Sequence, residues 1–189
     1  MNWDISKISI PVFDLKKSKE FYDFILNDVK GDAHINDNED ECSVRSGDCE
    51  LRLYRLKNDL LEQSRRTFPT ILVKNLQQKI DIFKKYKVNF KILDRKSNLI
   101  LIQETSFNYI ELEDFKDFKK TNFHKDVINW GFHHINLESY DVRGSVNFFK
   151  KFLNMDEGSW EVPKSLGDVN IKKNQLAVFP LNKKHGGLH

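Results

Sequence analysis

Two adjacent histidines, His133 and His134, lie in the alternating segment "FHHINLES" (132–139), which runs directly into a helix-like stretch. Imidazole binds divalent metals and exchanges protons near neutral pH, so these residues are candidates for chemistry. Alternate side chains of a strand face opposite sides of the sheet. If the apolar residues of this strand pack on the helix, His134, Asn136 and Glu138 face the other side. The same alternation predicts that His133 shares the helix side.

The beginning of the chain repeats this arrangement. An alternating segment, "ISKISIPV" (5–12), precedes "DLKKSKEFYDFIL" (14–26), just as the histidine strand precedes "DVRGSVNFFKKFL" (141–153). Both helix-like segments begin with Asp, a favourable N-cap, and carry apolar residues at helical spacing. Lys7 stands where His134 stands in the later copy. The repeat predicts a unit of strand, cap and helix with two different chemistries at the same position.

A third copy, "FPTILVKNLQQKIDIFKKYKV" (68–88), has Asn75 in the capping place, and short strand-like runs follow each helix. The unit is therefore strand, helix and about three further strands. Periodicity is lost and charge rises after the second unit. We expect a complete two-unit domain at 1–116, a linker at 117–129, and a single unit of a second, incomplete domain at 130–189.

Composition limits the possible functions. The 189 residues carry 31 Lys and Arg against 28 Asp and Glu, and the basic residues are scattered, which disfavours a nucleic-acid-binding protein. An apolar run long enough to cross a bilayer is missing from the sequence, so no membrane partner is expected. The first twenty residues do not resemble a signal peptide. A cytoplasmic protein is expected, with Cys42 and Cys49 as free thiols.

The capped helix opening "D-[LV]-x-x-S-x-x-F-[YF]", the strand "SFNYIEL" (106–112) and the "HHI" strand resemble the vicinal oxygen chelate superfamily. This superfamily includes glyoxalase I, bleomycin-resistance proteins and extradiol dioxygenases. The resemblance implies an α+β fold in which tandem βαβββ modules form a curled mixed sheet. On this reading the first domain is complete and the second is a half.

The resemblance also implies a site for a divalent metal, Fe, Mn, Ni or Zn, held by two His and one Glu. In the first domain the matching residues are Lys7, Phe68 and Glu111. Only Glu111 is of ligand type, so we expect no metal there and an ion pair between Lys7 and Glu111 instead. In the second domain, His134 and His189 match the first two ligand positions, and the sequence ends before a carboxylate strand.

The implied function is that of a glyoxalase-like or dioxygenase-like protein that acts on or binds a small oxygenated or aromatic molecule. The alternatives are a metal-free ligand-binding protein of the bleomycin-resistance type and a non-catalytic structural homodimer. A homodimer is expected because the unit at 130–179 would otherwise leave a strand edge open, and it would place His134 opposite His134 of the mate. The alternative explanation of the single unit is that the chain is a fragment of a longer protein. The expected ligand-binding residues are Asn136, Glu138, Lys7 and Glu111.

Overall fold

The fold comprises three helices and eleven strands within the described part of the chain. The computed structural model describes residues 5–31, 39–56, 67–94, 99–115, 129–157, 167–171 and 174–180. The first part contains β1 (Lys7–Val12), α1 (Leu15–Asn27), β2 (Glu41–Ser46) and β3 (Cys49–Arg55). The second contains β4 (Phe68–Val73), α2 (Leu76–Lys85), β5 (Phe90–Asp94), β6 (Leu99–Gln103) and β7 (Tyr109–Asp114). The third contains β8 (Trp130–Ser139), α3 (Val142–Leu153), β9 (Asp156–Glu157), β10 (Gly167–Ile171) and β11 (Asn174–Pro180).

The predicted repeat of strand, cap and helix is confirmed in all three parts. The carboxylate of Asp14 accepts a hydrogen bond from the backbone N–H of Lys17 at 3.0 Å, and that of Asp141 accepts one from Gly144 at 2.9 Å. Each bond satisfies a backbone donor that the first turn of a helix leaves free. Asn75 occupies the N-cap of α2 in a left-handed conformation (φ 54°) without a side-chain capping bond.

The strands form two mixed sheets, which confirms the expected α+β class. One sheet has the order β1-β3-β2, and the other has the order β5-β6-β7-β4-β8-β11-β10-β9. At the centre of the larger sheet, β4 and β8 pair in antiparallel fashion, so the second and third units share one sheet. The sequence-based grouping instead placed the first and second units in one domain. The partner of the third unit is therefore the second unit of the same chain.

Apolar burial joins the first unit to the second. The main cluster draws on β1 and β3, on α1 and α2, and on the helix-facing side of the larger sheet; its largest fully buried members are Trp130, Tyr22, Phe83, Phe132, Leu15 and Ile25. A smaller cluster of Val142, Val146 and Met155 lies under α3, with Ile135 and Leu137 packed against it. The faces of the larger sheet opposite these helices are consequently free to carry polar residues.

A buried carboxylate also links the first two units. Glu104 is 3% exposed and accepts hydrogen bonds from the Ser18 hydroxyl at 3.2 Å and the Ser106 backbone N–H at 2.7 Å. The Asn108 side-chain amide donates to Glu104 Oε1 at 2.7 Å and to the Pro11 carbonyl at 2.8 Å. Because these partners come from α1, β1 and the β6–β7 turn, the network fixes the first unit against the second.

A second buried charge closes the same interface from α2. Lys79 has a side chain that is only 5% exposed, and its ammonium donates to the Leu26 carbonyl at 3.3 Å and to Asp28 Oδ1 at 2.8 Å. Leu26 lies in the last turn of α1, where backbone carbonyls lack partners within the helix. Lys79 therefore serves as a cap supplied by a different unit.

Two further expectations concern the thiols and the membrane. Cys42 and Cys49 lie on the β2–β3 hairpin as thiols that are not joined in a disulfide, as predicted. Among the residues that the structure describes, none of the helices is both long and apolar enough to cross a bilayer.

Candidate functional site

A β-bulge in β8 determines where the two histidines point. His134 pairs with Thr70 on β4, but the next pair along the two strands joins Phe132 to Ile71, so His133 is an extra residue in β8. A bulge of this kind interrupts the alternation of side chains between the two faces of a sheet. Phe132 lies in the apolar core, whereas His134 lies on the face away from the helices.

The bulge also corrects the predicted position of His133. Its Nδ1 lies 2.9 Å from Nδ1 of His134 and 3.2 Å from Oε2 of Glu113. Glu113 alternates with Glu111 along β7, so both carboxylates belong to the face away from the helices. The prediction that His133 shares the helix side was wrong, because uniform alternation does not hold across an inserted residue.

Four side chains form a buried polar cluster at the β7–β4–β8 junction; they are Thr70, Glu111, His134 and Asn136. The Thr70 hydroxyl donates to Glu111 Oε2 at 2.6 Å and lies 3.0 Å from His134 Nε2. The Asn136 amide donates to Thr70 Oγ1 at 3.0 Å and to Glu111 Oε2 at 3.3 Å. All four are at most 8% exposed, so Thr70 is the hub that connects the histidine to the carboxylate.

The hydrogen bonds constrain the tautomers of both histidines. Because Thr70 has a single hydroxyl hydrogen and donates it to Glu111, it can only accept from His134 Nε2–H. Nδ1 of a neutral His134 is then an acceptor, and the adjacent Nδ1–H of His133 is its donor. Four groups, His133, His134, Thr70 and Glu111, are thus linked by successive hydrogen bonds, and Glu113 lies beside His133 at the far end.

Burial shifts the acidity of the central carboxyl. Desolvation raises the pKa of Glu111 from 4.5 to about 7, although the hydrogen bonds from Thr70 and Asn136 act in the opposite direction. A buried carboxyl that is half protonated near neutral pH can both donate and accept a proton, which is the property required of a general acid or base. Such perturbed groups are more frequent at functional sites than elsewhere.

Two aromatic rings lie beside the cluster. Phe68 pairs with Asn136 across the β4–β8 ladder, and its ring centroid is 6.3 Å from that of Tyr109, in an edge-to-face arrangement. Tyr109 alternates with Glu111 on β7, so both aromatic side chains share the face that carries the cluster. Polar groups next to aromatic side chains are typical of sites for small organic molecules.

The structure brings three of the six predicted site residues together, namely Glu111, His134 and Asn136. Lys7 lies in the smaller sheet, where its ammonium is 3.2 Å from Glu50 Oε1, so the pair expected with Glu111 is replaced by one with Glu50. The position of His189 lies outside the described residues.

Glu138 lines a different part of the surface from the cluster. It borders a groove of about 480 Å³ together with Tyr140, Phe148 and the first residues of α3. The predicted set of ligand-binding residues is therefore distributed over three places in the described structure: the cluster, the smaller sheet and this groove.

Sequence reasoning missed two residues of the site. Thr70 occupies the same place in its strand, relative to the helix cap, as Asn136 in β8, and this repeat register could have identified it. His133 was seen but assigned to the wrong face. A bulge leaves no distinctive signal in the alternation of this strand, so only the strand pairing reveals it.

The donor set does not by itself make a metal site. Among the described residues, three or more His, Cys, Asp or Glu side chains do not converge as metal ligands would. Phe68 offers no donor on β4, and the Thr70 hydroxyl lies between His134 and Glu111. The two residues of ligand type are therefore bridged by a hydrogen-bonded hydroxyl.

Comparison with solved structures identifies the architecture. A proposed dioxygenase from Bacillus subtilis superposes with a TM-score of 0.70 at 10% identity, covering 96% of this chain and 66% of that one. A mutant of glyoxalase I from Zea mays superposes with a TM-score of 0.60 at 12% identity, covering 93% and 68%. The fold is that of the vicinal oxygen chelate superfamily.

Support for the vicinal oxygen chelate fold comes from structural similarity rather than from sequence similarity. None of the family models matches the sequence, and a search of curated proteins also gives no match. The chain spans about two thirds of the length of the two solved structures. At such low identity the vicinal oxygen chelate fold is shared, whereas the reaction has to be argued from the cluster itself.

Proposed function

We propose that this glyoxalase-like and dioxygenase-like protein binds a small oxygenated or aromatic molecule at the cluster of Thr70, Glu111, His134 and Asn136. The observation that carries the proposal is the concentration of four buried polar side chains on one sheet face, beside two aromatic rings. A sheet face in a purely structural role would be expected to bury apolar side chains, because buried polar groups add desolvation costs.

The chemistry of the cluster suits a hydroxyl or carbonyl ligand. Glu111 donates a hydrogen bond when protonated and accepts one when ionised, and its pKa of about 7 makes both forms available near neutral pH. The carbonyl Oδ1 of Asn136 is buried and has no hydrogen-bond partner among the described residues. A ligand hydroxyl group would supply a donor to that oxygen, and an aromatic ligand would pack on Phe68 and Tyr109.

The proposed site functions without a resident metal: the cluster itself supplies two side chains of ligand type, and the described residues do not form a group of three that could hold an ion. The second candidate is a divalent metal, Fe, Mn, Ni or Zn, at His134. The observation in its favour is that His134 and Glu111 both lie within hydrogen-bonding distance of the same Thr70 oxygen. A metal there would polarise a bound oxygenated molecule, and His134 with Glu111 would hold it.

Thermal unfolding with catechol and with a simple 1,2-dicarbonyl compound tests the binding proposal. A ligand at a hundred times its Kd stabilises the folded protein by about 2.7 kcal/mol. We expect a rise in Tm for the native chain that is lost in Asn136→Leu and retained in Lys7→Ala, a matched change in the other sheet. If neither compound raises the Tm, or if Asn136→Leu responds like the native chain, the proposed site is wrong.

Elemental analysis of protein purified without a tag and without oxygen separates the two candidates. The metal-free proposal predicts less than stoichiometric Fe, Mn, Ni and Zn in both the native chain and His134→Ala. Stoichiometric metal in the native chain that is lost in His134→Ala would instead establish the second candidate.

A further inference from the structure

The first unit presents an unusual strand edge. β4 and β8, the first strands of the second and third units, pair with each other at the centre of the larger sheet. β1 is the first strand of the first unit, and it lies at the edge of the order β1-β3-β2 within the described structure. β1 therefore corresponds to the two strands, β4 and β8, through which the other two units pair.

The backbone of β1 shows which groups face this edge. Ser6 and Val12 accept hydrogen bonds from Glu50 and Leu56, at 2.8 and 2.9 Å, on the side of β3. In a parallel pair, alternate residues direct both their N–H and C=O to one neighbour, so Lys7 and Ser9 direct theirs to the opposite edge. The side chains of both residues are exposed.

The end of the edge beyond these residues is closed. Pro11 has no backbone N–H, and its carbonyl accepts a hydrogen bond from the Asn108 amide at 2.8 Å. The next backbone N–H, that of Phe13, donates to the Ser106 hydroxyl at 3.0 Å. Within the described part of β1, the stretch available for pairing is thus short and centred on Lys7 and Ser9, and a short edge avoids open-ended association.

The β4–β8 ladder provides the geometry for pairing this stretch. Pro69 pairs with Ile135, and these two residues hold the same position relative to the caps of their helices. Phe68 pairs with Asn136 and Thr70 with His134, so the register is nearly symmetric about that central pair. A symmetric register is self-complementary, which means that a strand of this type can pair with a copy of itself.

We propose that β1 pairs in antiparallel fashion with β1 of a second copy of this chain, across a twofold axis at Ile8. In the register of β4 and β8, Lys7 of each copy then lies opposite Ser9 of its mate. The two smaller sheets combine into one continuous sheet of six strands, and each copy contributes to a shared polar face that includes Lys7, Glu50 and Arg52.

This arrangement differs from the homodimer that the sequence suggested, in which the third unit would contact its equivalent. The third unit already pairs with the second through β8 and β4. An isologous contact at β1 closes after two copies, because the described part of each chain offers one first strand that is not already paired with another. The short strand stretch predicts a weak dimer with a Kd on the order of micromolar.

Sedimentation velocity over a concentration series, combined with charge changes at Ser9, tests the proposal. Ser9→Lys places a like charge opposite Lys7 of the mate, and Ser9→Glu places an opposite charge there, at two symmetric positions. We expect the dimer Kd of Ser9→Lys to be at least about 10-fold higher than that of Ser9→Glu, which corresponds to about 1.4 kcal/mol. The native chain should lie between them.

Ser43→Lys is the matched control. Ser43 lies opposite Arg52 on β2, as Ser9 lies opposite Arg52 on β1, so both changes place a lysine next to the same residue of the same sheet. Ser9 borders the open edge and Ser43 does not, so Ser43→Lys, which also removes a hydrogen bond to Glu50, should raise the Kd much less than Ser9→Lys. Circular dichroism confirms that each variant is folded.

Three results would overturn the proposal. A native chain that is monomeric throughout the concentration series has no such dimer. A dimer that Ser9→Lys and Ser43→Lys weaken equally assembles through another surface. If Ser9→Lys is unfolded, Ser9→Glu still decides the matter, because a Kd that is not tightened relative to the native chain contradicts the predicted contact with Lys7.

Discussion

The raised pKa of Glu111 makes the stability of this protein depend on pH in an unusual direction. Its carboxyl is 1% exposed and has a pKa of about 7, compared with 4.5 for an unperturbed group. Between these two values the folded chain binds more protons at this position than the unfolded chain. The free energy of unfolding contributed by Glu111 therefore falls as the pH rises from about 4.5 to about 7.

The magnitude follows from the two pKa values. At about 1.4 kcal/mol per pKa unit, the shift from 4.5 to about 7 corresponds to about 3 kcal/mol. This cost is small below pH 4.5 and fully present above pH 7. Glu111→Gln removes the titration while it keeps an oxygen that can accept from Thr70 and Asn136.

Urea unfolding of the native chain and of Glu111→Gln at several values between pH 5 and pH 8 measures the effect. Both proteins carry the same histidines, so the difference between the two series reports the removal of the Glu111 carboxyl. We expect the free energy of unfolding of Glu111→Gln to rise, relative to that of the native chain, by up to about 3 kcal/mol between pH 5 and pH 8. If that difference is constant across the series, the carboxyl titrates normally and burial does not raise its pKa.

Three other positions yield predictions that urea unfolding can check. A Cβ on Gly144 would lie 2.3 Å from Asp141 Oδ2. Gly144→Ala should therefore displace the capping carboxylate and lower the free energy of unfolding by up to about 1 kcal/mol. In an Asp141→Ala background the same change should raise the free energy of unfolding by a similar amount. A change in the free energy of unfolding that has the same sign in both backgrounds would contradict this prediction. Lys79→Met removes the donor to the buried Leu26 carbonyl and should lower the free energy of unfolding by about 1–3 kcal/mol even at high salt, because salt screens the pair with the largely exposed Asp28 but not this hydrogen bond. A cost that salt abolishes would indicate an ordinary surface ion pair. Tyr22→Phe should be neutral or stabilising, because the buried hydroxyl has no hydrogen-bond partner among the described residues; a loss above about 1 kcal/mol would reveal one.

Sequence periodicity predicted the local units well, because the caps and apolar spacing that define them act over a few residues. Asp14 and Asp141 cap their helices as expected. The choice of which first strands pair is a long-range property, and β1, β4 and β8 have similar alternation. The sequence therefore did not show that β8 pairs with β4.

The site illustrates the same division between local and long-range information. His134 and Asn136 were predicted because alternation places them on the face away from the helices, and Glu111 was predicted from the family resemblance; the three do meet there. Thr70 was missed because a threonine in a strand is common and gives no chemical signal by itself. Lys7 was assigned the wrong partner, since the ion pair with Glu111 assumed that both residues lie in one sheet.

The extra residue in β8 divides one strand into two segments whose side chains have different surroundings. Before it, Trp130 and Phe132 pack in the apolar core, and after it, His134 and Asn136 belong to the polar cluster. When every position of the strand is varied, the alternation between tolerant and intolerant positions should therefore shift by one residue at His133. Deleting that one residue would bring the two segments into a common phase, so one of them would have to present its side chains to the wrong environment.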